Sequence, residues 1–250
     1  MAKRKNLTKE DLEDVSTYTY ESSINKNLTN NKINLRDIPI HIKCLNEKQK
    51  LLKQAIENQE IVISKGAPGT GKTYLSLLTA LHLLKTEPKY KKIILIKSLQ
   101  VIKGEEVGFL KGSLEEKITP FMYSFTGNLD KIFNSQTITK ALIEQGVIEL
   151  YPIAYTRGVQ WDNAIIIVDE TQNVDMHSFK TIITRIGYSS KMIFLGDTEQ
   201  IDRKNKYESC LDKICELFKD KEFVSVITFN DDESVRNPLI PKILEILKNE

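Results

Sequence analysis

Residues 66–73 read Gly-Ala-Pro-Gly-Thr-Gly-Lys-Thr, directly after the apolar run Ile61-Val62-Ile63 and directly before a helix-like run from Tyr74 to Leu84. Gly66, Gly71, Lys72 and Thr73 satisfy G-x-x-x-x-G-K-[ST], the phosphate-binding loop, and the flanking runs supply the strand and helix that this motif requires. A strand turning sharply into a helix aims several backbone N–H groups and the positive helix end at one point. Such a point suits a polyphosphate. The whole loop (Gly66, Ala67, Pro68, Gly69, Thr70, Gly71, Lys72 and Thr73) is therefore expected to wrap a nucleoside triphosphate. Lys72 is expected to reach the β- and γ-phosphates, and the Thr73 hydroxyl to coordinate Mg²⁺.

The rest of the chain fits an α/β fold around that unit. Lys92–Lys97 and Ala164–Val168 are apolar along their length, as parallel strands covered on both faces are. Further strands are expected near 147–150, 191–195 and 223–229. Helices are expected near 45–56, 72–85, 114–145 (interrupted near Pro120 and Gly127), 178–186, 207–218 and 238–249. Alternating strands and helices point to an α/β fold with a mainly parallel central sheet, and with the phosphate loop to a three-layer P-loop NTPase. Residues 1–40 are polar and aperiodic and read as a flexible arm; residues 41–250 read as the ATPase domain. A net charge of +2 announces no nucleic-acid binder, although a local basic groove is compatible with it. No apolar run reaches membrane-spanning length, and none follows Met1–Asn6 to make a signal peptide. Cys44, Cys210 and Cys215 lack paired spacing and read as free thiols in a reducing cytoplasm, without zinc.

Two further elements turn a phosphate loop into a hydrolytic site. Asp169-Glu170 ends the most apolar strand, about 100 residues after the loop. Asp169 is expected to hold the Mg²⁺ hydration shell, and Glu170 to polarise the attacking water. Gly196-Asp197-Thr198-Glu199-Gln200 ends the next strand, and ligands of open parallel sheets gather at such carboxyl ends. The Gln200 amide is expected to contact the γ-phosphate or the lytic water. The constellation describes an ATPase rather than a passive nucleotide site.

With these elements in place the chain resembles the PhoH family, the phosphate-starvation-inducible ATPases, from about Leu45 to Leu247. The resemblance is carried by Gly66–Leu75, Gly104–Leu110, Ile148-Glu149, Pro152–Gly158, Asp169–Asn173, Thr184–Gly187, Ser190–Met192, Gly196-Asp197 with Gln200–Asp202, and Ser234–Leu239. The family is similar to the first motor core of superfamily-1 helicases, which implies a RecA/helicase-like form of the three-layer P-loop NTPase fold. The resemblance implies ATP hydrolysis, an RNA-helicase or RNA-handling role, and a ring-like homo-oligomer such as a hexamer. It also implies that Gln49 reads the adenine edge. The chain departs from the family pattern at Ile96-Lys97-Ser98 (Thr-Arg-Pro in the family), Thr171 (Ala), Asn237 (His) and Arg203-Lys204 (Leu-Pro). The first departure falls where helicase-like proteins touch the nucleic-acid backbone.

A single core leaves the γ-phosphate open on one side, so a cation from across an interface is expected to complete the site. Arg236 is the first candidate, with Arg157 and Arg185 as alternatives. Subunits stacked head to tail would each complete a neighbour's site and close into a ring. Lys97, Lys103, Lys111 and Lys117, interleaved with Phe109 and Phe121, are candidates for clamping RNA or single-stranded DNA; a solvated loop with core-facing aromatics explains them as well. The alternative function is an ATP-dependent switch or assembly factor acting on a protein partner. A small-molecule kinase is disfavoured, because no Arg-rich lid is evident.

Overall fold

The computed structural model describes residues 32–98, 114–197, 209–230 and 233–235, with side chains in 114–121 not included. Gln200, Arg236, Lys103, Lys111, Phe109 and the expected closing helix at 238–249 lie outside these residues, as do the side chains of Lys117 and Phe121.

In chain order the elements are α1 (Glu47–Asn58), β1 (Ile61–Gly66), α2 (Lys72–Thr86), β2 (Lys92–Lys97), α3 (Leu114–Phe133), α4 (Gln136–Glu144), β3 (Ile148–Pro152), β4 (Ala164–Asp169), α5 (Met176–Ile183), β5 (Lys191–Gly196), α6 (Leu211–Phe218) and β6 (Val224–Phe229). The six strands form one sheet in the order β3-β2-β4-β5-β1-β6, and every pairing is parallel. This is the α/β architecture expected from the strand and helix alternation.

Strand composition follows from that topology. Ile165, Ile167, Ile193 and Leu195 face one core with α1–α4; Ile166, Val168, Met192 and Phe194 face the other with α5, α6 and Trp161. A strand buried on both faces has no polar side to show, which is why β2, β4 and β5 read as unbroken apolar runs.

Two segments differ from the sequence expectation. The helix beginning at 114 passes through Pro120 and Gly127 without a break and ends at Phe133. Met122, Phe125, Leu129 and Phe133 recur at helical spacing on the buried face, so packing outweighs the local propensity of Gly and Pro. The chain then breaks at Asn134, in a left-handed conformation, and α4 restarts behind the cap of Ser135. Within the expected arm, Leu35 is buried and Ile33, Ile38 and Ile40 pack against the core, as does Ile42 just beyond it. Lys85 Nζ donates to the Ile38 carbonyl at 2.7 Å. Ile38, Ile40 and Ile42 alternate with Pro39 and His41, a short strand-like period, yet the segment forms no strand, as expected of a run interrupted by proline.

Candidate functional site

All six strands run the same way, so their carboxyl ends share one edge of the sheet. That edge carries the phosphate loop after β1, Asp169-Glu170 after β4 and Asp197 after β5. Gly66 opens the loop at φ +135°, and a Cβ there would fall 2.1 Å from the Phe229 carbonyl oxygen. Only glycine fits at this junction.

The start of α2 is built differently from most other helix starts. Asn46, Ser135 and Asp175 cap α1, α4 and α5 with side-chain oxygens that accept from backbone N–H groups. Helix α2 starts at Gly71, with no side-chain cap. No Gly71 side chain thus competes with an external anion for the first turn, and the positive helix end lies behind it.

Lys72 is buried and turned into the loop. Its Nζ donates to the Gly66 and Ala67 carbonyl oxygens, both at 2.7 Å, and to Thr70 Oγ1 at 3.2 Å. The ammonium is held where the loop curls around it, within reach of anything the loop would bind. Ser234 Oγ donates to the Pro68 carbonyl at 3.4 Å, and the Val235 N–H donates to the Gly69 carbonyl at 2.9 Å. The residue before Arg236 thus sits on the loop.

Gln49, at the start of α1, is buried against the same loop. Its Nε2 donates to the Thr70 carbonyl at 2.9 Å, and its Oε1 accepts from the Leu45 N–H at 2.7 Å. Its amide therefore ties α1 to the loop, whatever further partner its second N–H meets.

Thr73 and Asp169 meet directly. The Thr73 hydroxyl donates to Asp169 Oδ2 at 3.2 Å, and the Glu170 N–H donates to Asp169 Oδ1 at 3.0 Å. Burial, and then the neighbouring Glu170 charge, push the Asp169 acid up to about 6; Lys97 and the two hydrogen bonds pull the other way. The buried Asp169 carboxylate thus lacks sufficient compensating positive charge in the free chain. A hydroxyl beside a carboxylate is an oxygen donor set of the kind Mg²⁺ takes, with phosphate and water completing its shell. Among the described residues no three His, Cys, Asp or Glu side chains form a cluster of their own for a metal.

Glu170 is in the left-handed region at φ 56°, ψ 39°, and heads the short 3₁₀ turn Thr171–Asn173. For a non-glycine residue that conformation costs roughly 1–2 kcal/mol and persists only where surrounding contacts impose it. Here the Thr171 hydroxyl donates to the Val168 carbonyl at 3.2 Å, and the Asn173 N–H donates to the Glu170 carbonyl at 2.9 Å. The Glu170 carboxylate itself accepts from Gln172 Nε2 at 2.6 Å and lies 3.6 Å from the Lys97 ammonium. Lys97 also donates to Ser124 Oγ at 2.7 Å. From sequence, Lys97 reads as a strand-clamping lysine and Gln172 carries no role; the spacing Asp-Glu-x-Gln is the one local signal that points to it. Of the other arginines, Arg157 is exposed beyond β3 at the loop end of the sheet. Arg185 donates to the Thr181 carbonyl at 3.0 Å, and its own carbonyl accepts from the N–H of Trp161, before β4, at the opposite end.

A parallel sheet with this loop and this acidic strand end defines the P-loop class of α/β proteins. The PhoH-like protein family model matches residues 41–248, and the chain belongs to that family. It is 36% identical over 226 residues to a PhoH-like protein of Bacillus subtilis strain 168, covering 90% of this chain and 67% of that one. Against a PhoH-like protein of Mycobacterium tuberculosis strain H37Rv the identity is 35%, covering 87% and 60%. Against Protein PhoH of Escherichia coli K12 it is 32%, covering 80% and 56%. The chain thus spans about two thirds or less of the length of these relatives. Solved structures of related outline include the large terminase of a thermophilic bacteriophage, with TM-score 0.48 and 11% identity over 80% of this chain and 48% of that one. The Pif1 helicase of Candida albicans gives TM-score 0.39 and 15% identity, over 83% and 44%.

Proposed function

We propose that this chain is a Mg²⁺-dependent ATPase of the cytoplasm whose turnover is coupled to RNA or single-stranded DNA. The observation that carries the hydrolytic part is the meeting of Thr73, Asp169 and Glu170 at one strand edge. Thr73 and Asp169 would hold the ion, which when bound neutralises phosphate charge. Lys72 and the uncapped α2 N-terminus bind and orient the triphosphate. Glu170 accepts the proton of the attacking water, and Gln200 completes the water's contacts. Gln49 sets the base preference.

Coupling to nucleic acid is supported by the family and by the Lys- and Phe-bearing segment that follows β2. An ATPase assay with and without single-stranded RNA and DNA tests it, with Glu170→Gln as the inactive control. At least severalfold stimulation that fades with added salt is expected. Lack of stimulation by any strand selects the alternative, an ATP-dependent switch acting on a protein partner. One observation favours that alternative: Lys97 is directed at Glu170 and Ser124 rather than at solvent.

The open side of the γ-phosphate is completed in this reading by Arg236 of a neighbouring copy in a ring. Mixing inactive Lys72→Ala and Arg236→Ala chains should then restore up to about a quarter of wild-type turnover, since random assembly pairs intact halves at that frequency. An arginine acting within its own chain gives no rescue.

A further inference from the structure

The candidate base is gripped at both carboxylate oxygens, and one of the two grips reaches across to the next strand. Gln172 is 1% exposed. Its Nε2 donates to Glu170 Oε2 at 2.6 Å, while its Oε1 accepts from the N–H of Asp197 at 3.0 Å. One side-chain amide therefore connects the residue after β4 to the residue after β5. Its two ends are chemically unlike, since the nitrogen only donates and the oxygen only accepts. A carboxylate on one side and a backbone N–H on the other therefore fix which way the amide points.

The end of β5 is shaped for this crossing. A Cβ on Gly196 would lie 2.9 Å from Gln172 Oε1, 3.1 Å from Gln172 N and 2.7 Å from Leu211 Cδ2. Gly196 is not among the glycines with positive φ, so its backbone conformation does not demand glycine. The space taken by Leu211 and Gln172 together does. On the other side, Lys97 holds Glu170 Oε1 from the end of β2 and is itself bonded to Ser124 of α3.

We propose that Gln172 is the positioning residue for Glu170, fixing the base relative to the end of β5. A free glutamate samples many rotamers, and a misplacement of about 1 Å can cost on the order of a hundredfold in rate. A charge-assisted hydrogen bond at 2.6 Å holds the carboxylate far more narrowly. The proposal rests on the ATPase reading, and its tests separate the two.

Gln172→Met keeps the volume and removes these two hydrogen bonds; Gly196→Ala crowds the amide oxygen and Leu211 from the other side. Each is expected to lower kcat about 10- to 100-fold while ATP affinity stays within about threefold. The double variant Gln172→Met/Glu170→Gln is expected to be no slower than Glu170→Gln alone, because a residue acting through the base has nothing left to act on. Wild-type kcat in Gln172→Met, a parallel loss of affinity, or losses that multiply in the double variant would each overturn the proposal. A readout independent of turnover is hydrogen exchange at the Asp197 amide. It is expected to quicken about tenfold in Gln172→Met, and an unchanged rate also overturns the bridge. If the wild-type chain hydrolyses no ATP, the ATPase reading fails, and the exchange rate alone decides whether Gln172 joins the two strand ends.

Discussion

Glu170→Gln is expected to lower kcat for ATP hydrolysis by about 10² to 10⁴, the range a positioned general base contributes. The substitution keeps the shape and an acceptor oxygen for Gln172, but a neutral amide cannot take the proton of the attacking water. ATP affinity should stay within a few-fold, because binding falls to the loop, Lys72 and the α2 N-terminus rather than to this carboxylate. Lys72→Ala is the contrasting case, since it removes the ammonium that three loop oxygens position, and it should weaken nucleotide binding and turnover together. Steady-state kcat and a direct binding measurement on both variants separate the roles. A Glu170→Gln chain that hydrolyses ATP at the wild-type rate would show that the water is activated elsewhere.

That division of labour is partly legible in the amino-acid sequence. The loop and the Asp-Glu pair announce themselves because each needs particular residue types beside each other in the chain: glycines where a Cβ would collide, and a carboxylate at the end of an apolar strand. The parallel sheet is legible for a similar reason, since strands buried on both faces must be apolar throughout. Meetings across the sheet edge leave no such trace. Thr73 and Asp169 are 96 residues apart, and only the order β4-β5-β1 brings them to 3.2 Å. Lys97 reads as one more lysine of a basic segment, because nothing local says that its ammonium faces Glu170. Gln172 is invisible as a bridge for the same reason, since its second partner follows β5. The packed segment from Ile33 to Ile42 escapes detection because its one alternating stretch, Ile38-Pro39-Ile40-His41-Ile42, is short, carries a proline and forms no strand. Local chemistry can be read along a chain; which strand ends stand next to each other cannot.

Asp169→Asn is expected to trade function for stability. The Asp169 acid is raised from 3.8 to about 6, chiefly by burial and secondly by Glu170. The native protein therefore holds this proton more tightly than the unfolded chain does, and stability falls as pH rises from about 4 to about 6. Above that window the full cost of a buried carboxylate is present, and without nucleotide it is offset only by Lys97, the Thr73 hydroxyl and the Glu170 N–H. Asparagine removes the charge while its oxygen still accepts from Glu170 and its amide nitrogen can donate to Thr73. At pH 7.5 the nucleotide-free variant should be more stable by on the order of 1–3 kcal/mol, which corresponds to roughly 2–10 °C in Tm. Near pH 4 most of that advantage should vanish, because the native wild-type acid is then protonated and the buried charge that asparagine removes is no longer present. Adding Mg²⁺ on top of nucleotide should narrow or reverse the ranking: the wild-type chain gains further stability from the ion by ligand linkage, whereas the variant keeps the loop and Lys72 for nucleotide but, lacking the carboxylate, gains little from Mg²⁺. Thermal unfolding at pH 4.5, 6 and 7.5, with and without Mg²⁺ and nucleotide, reads all of these at once. A variant no more stable than wild type at pH 7.5 would mean that Asp169 is adequately compensated in the free protein, and a variant that still responds to Mg²⁺ would remove Asp169 from the ion's ligands.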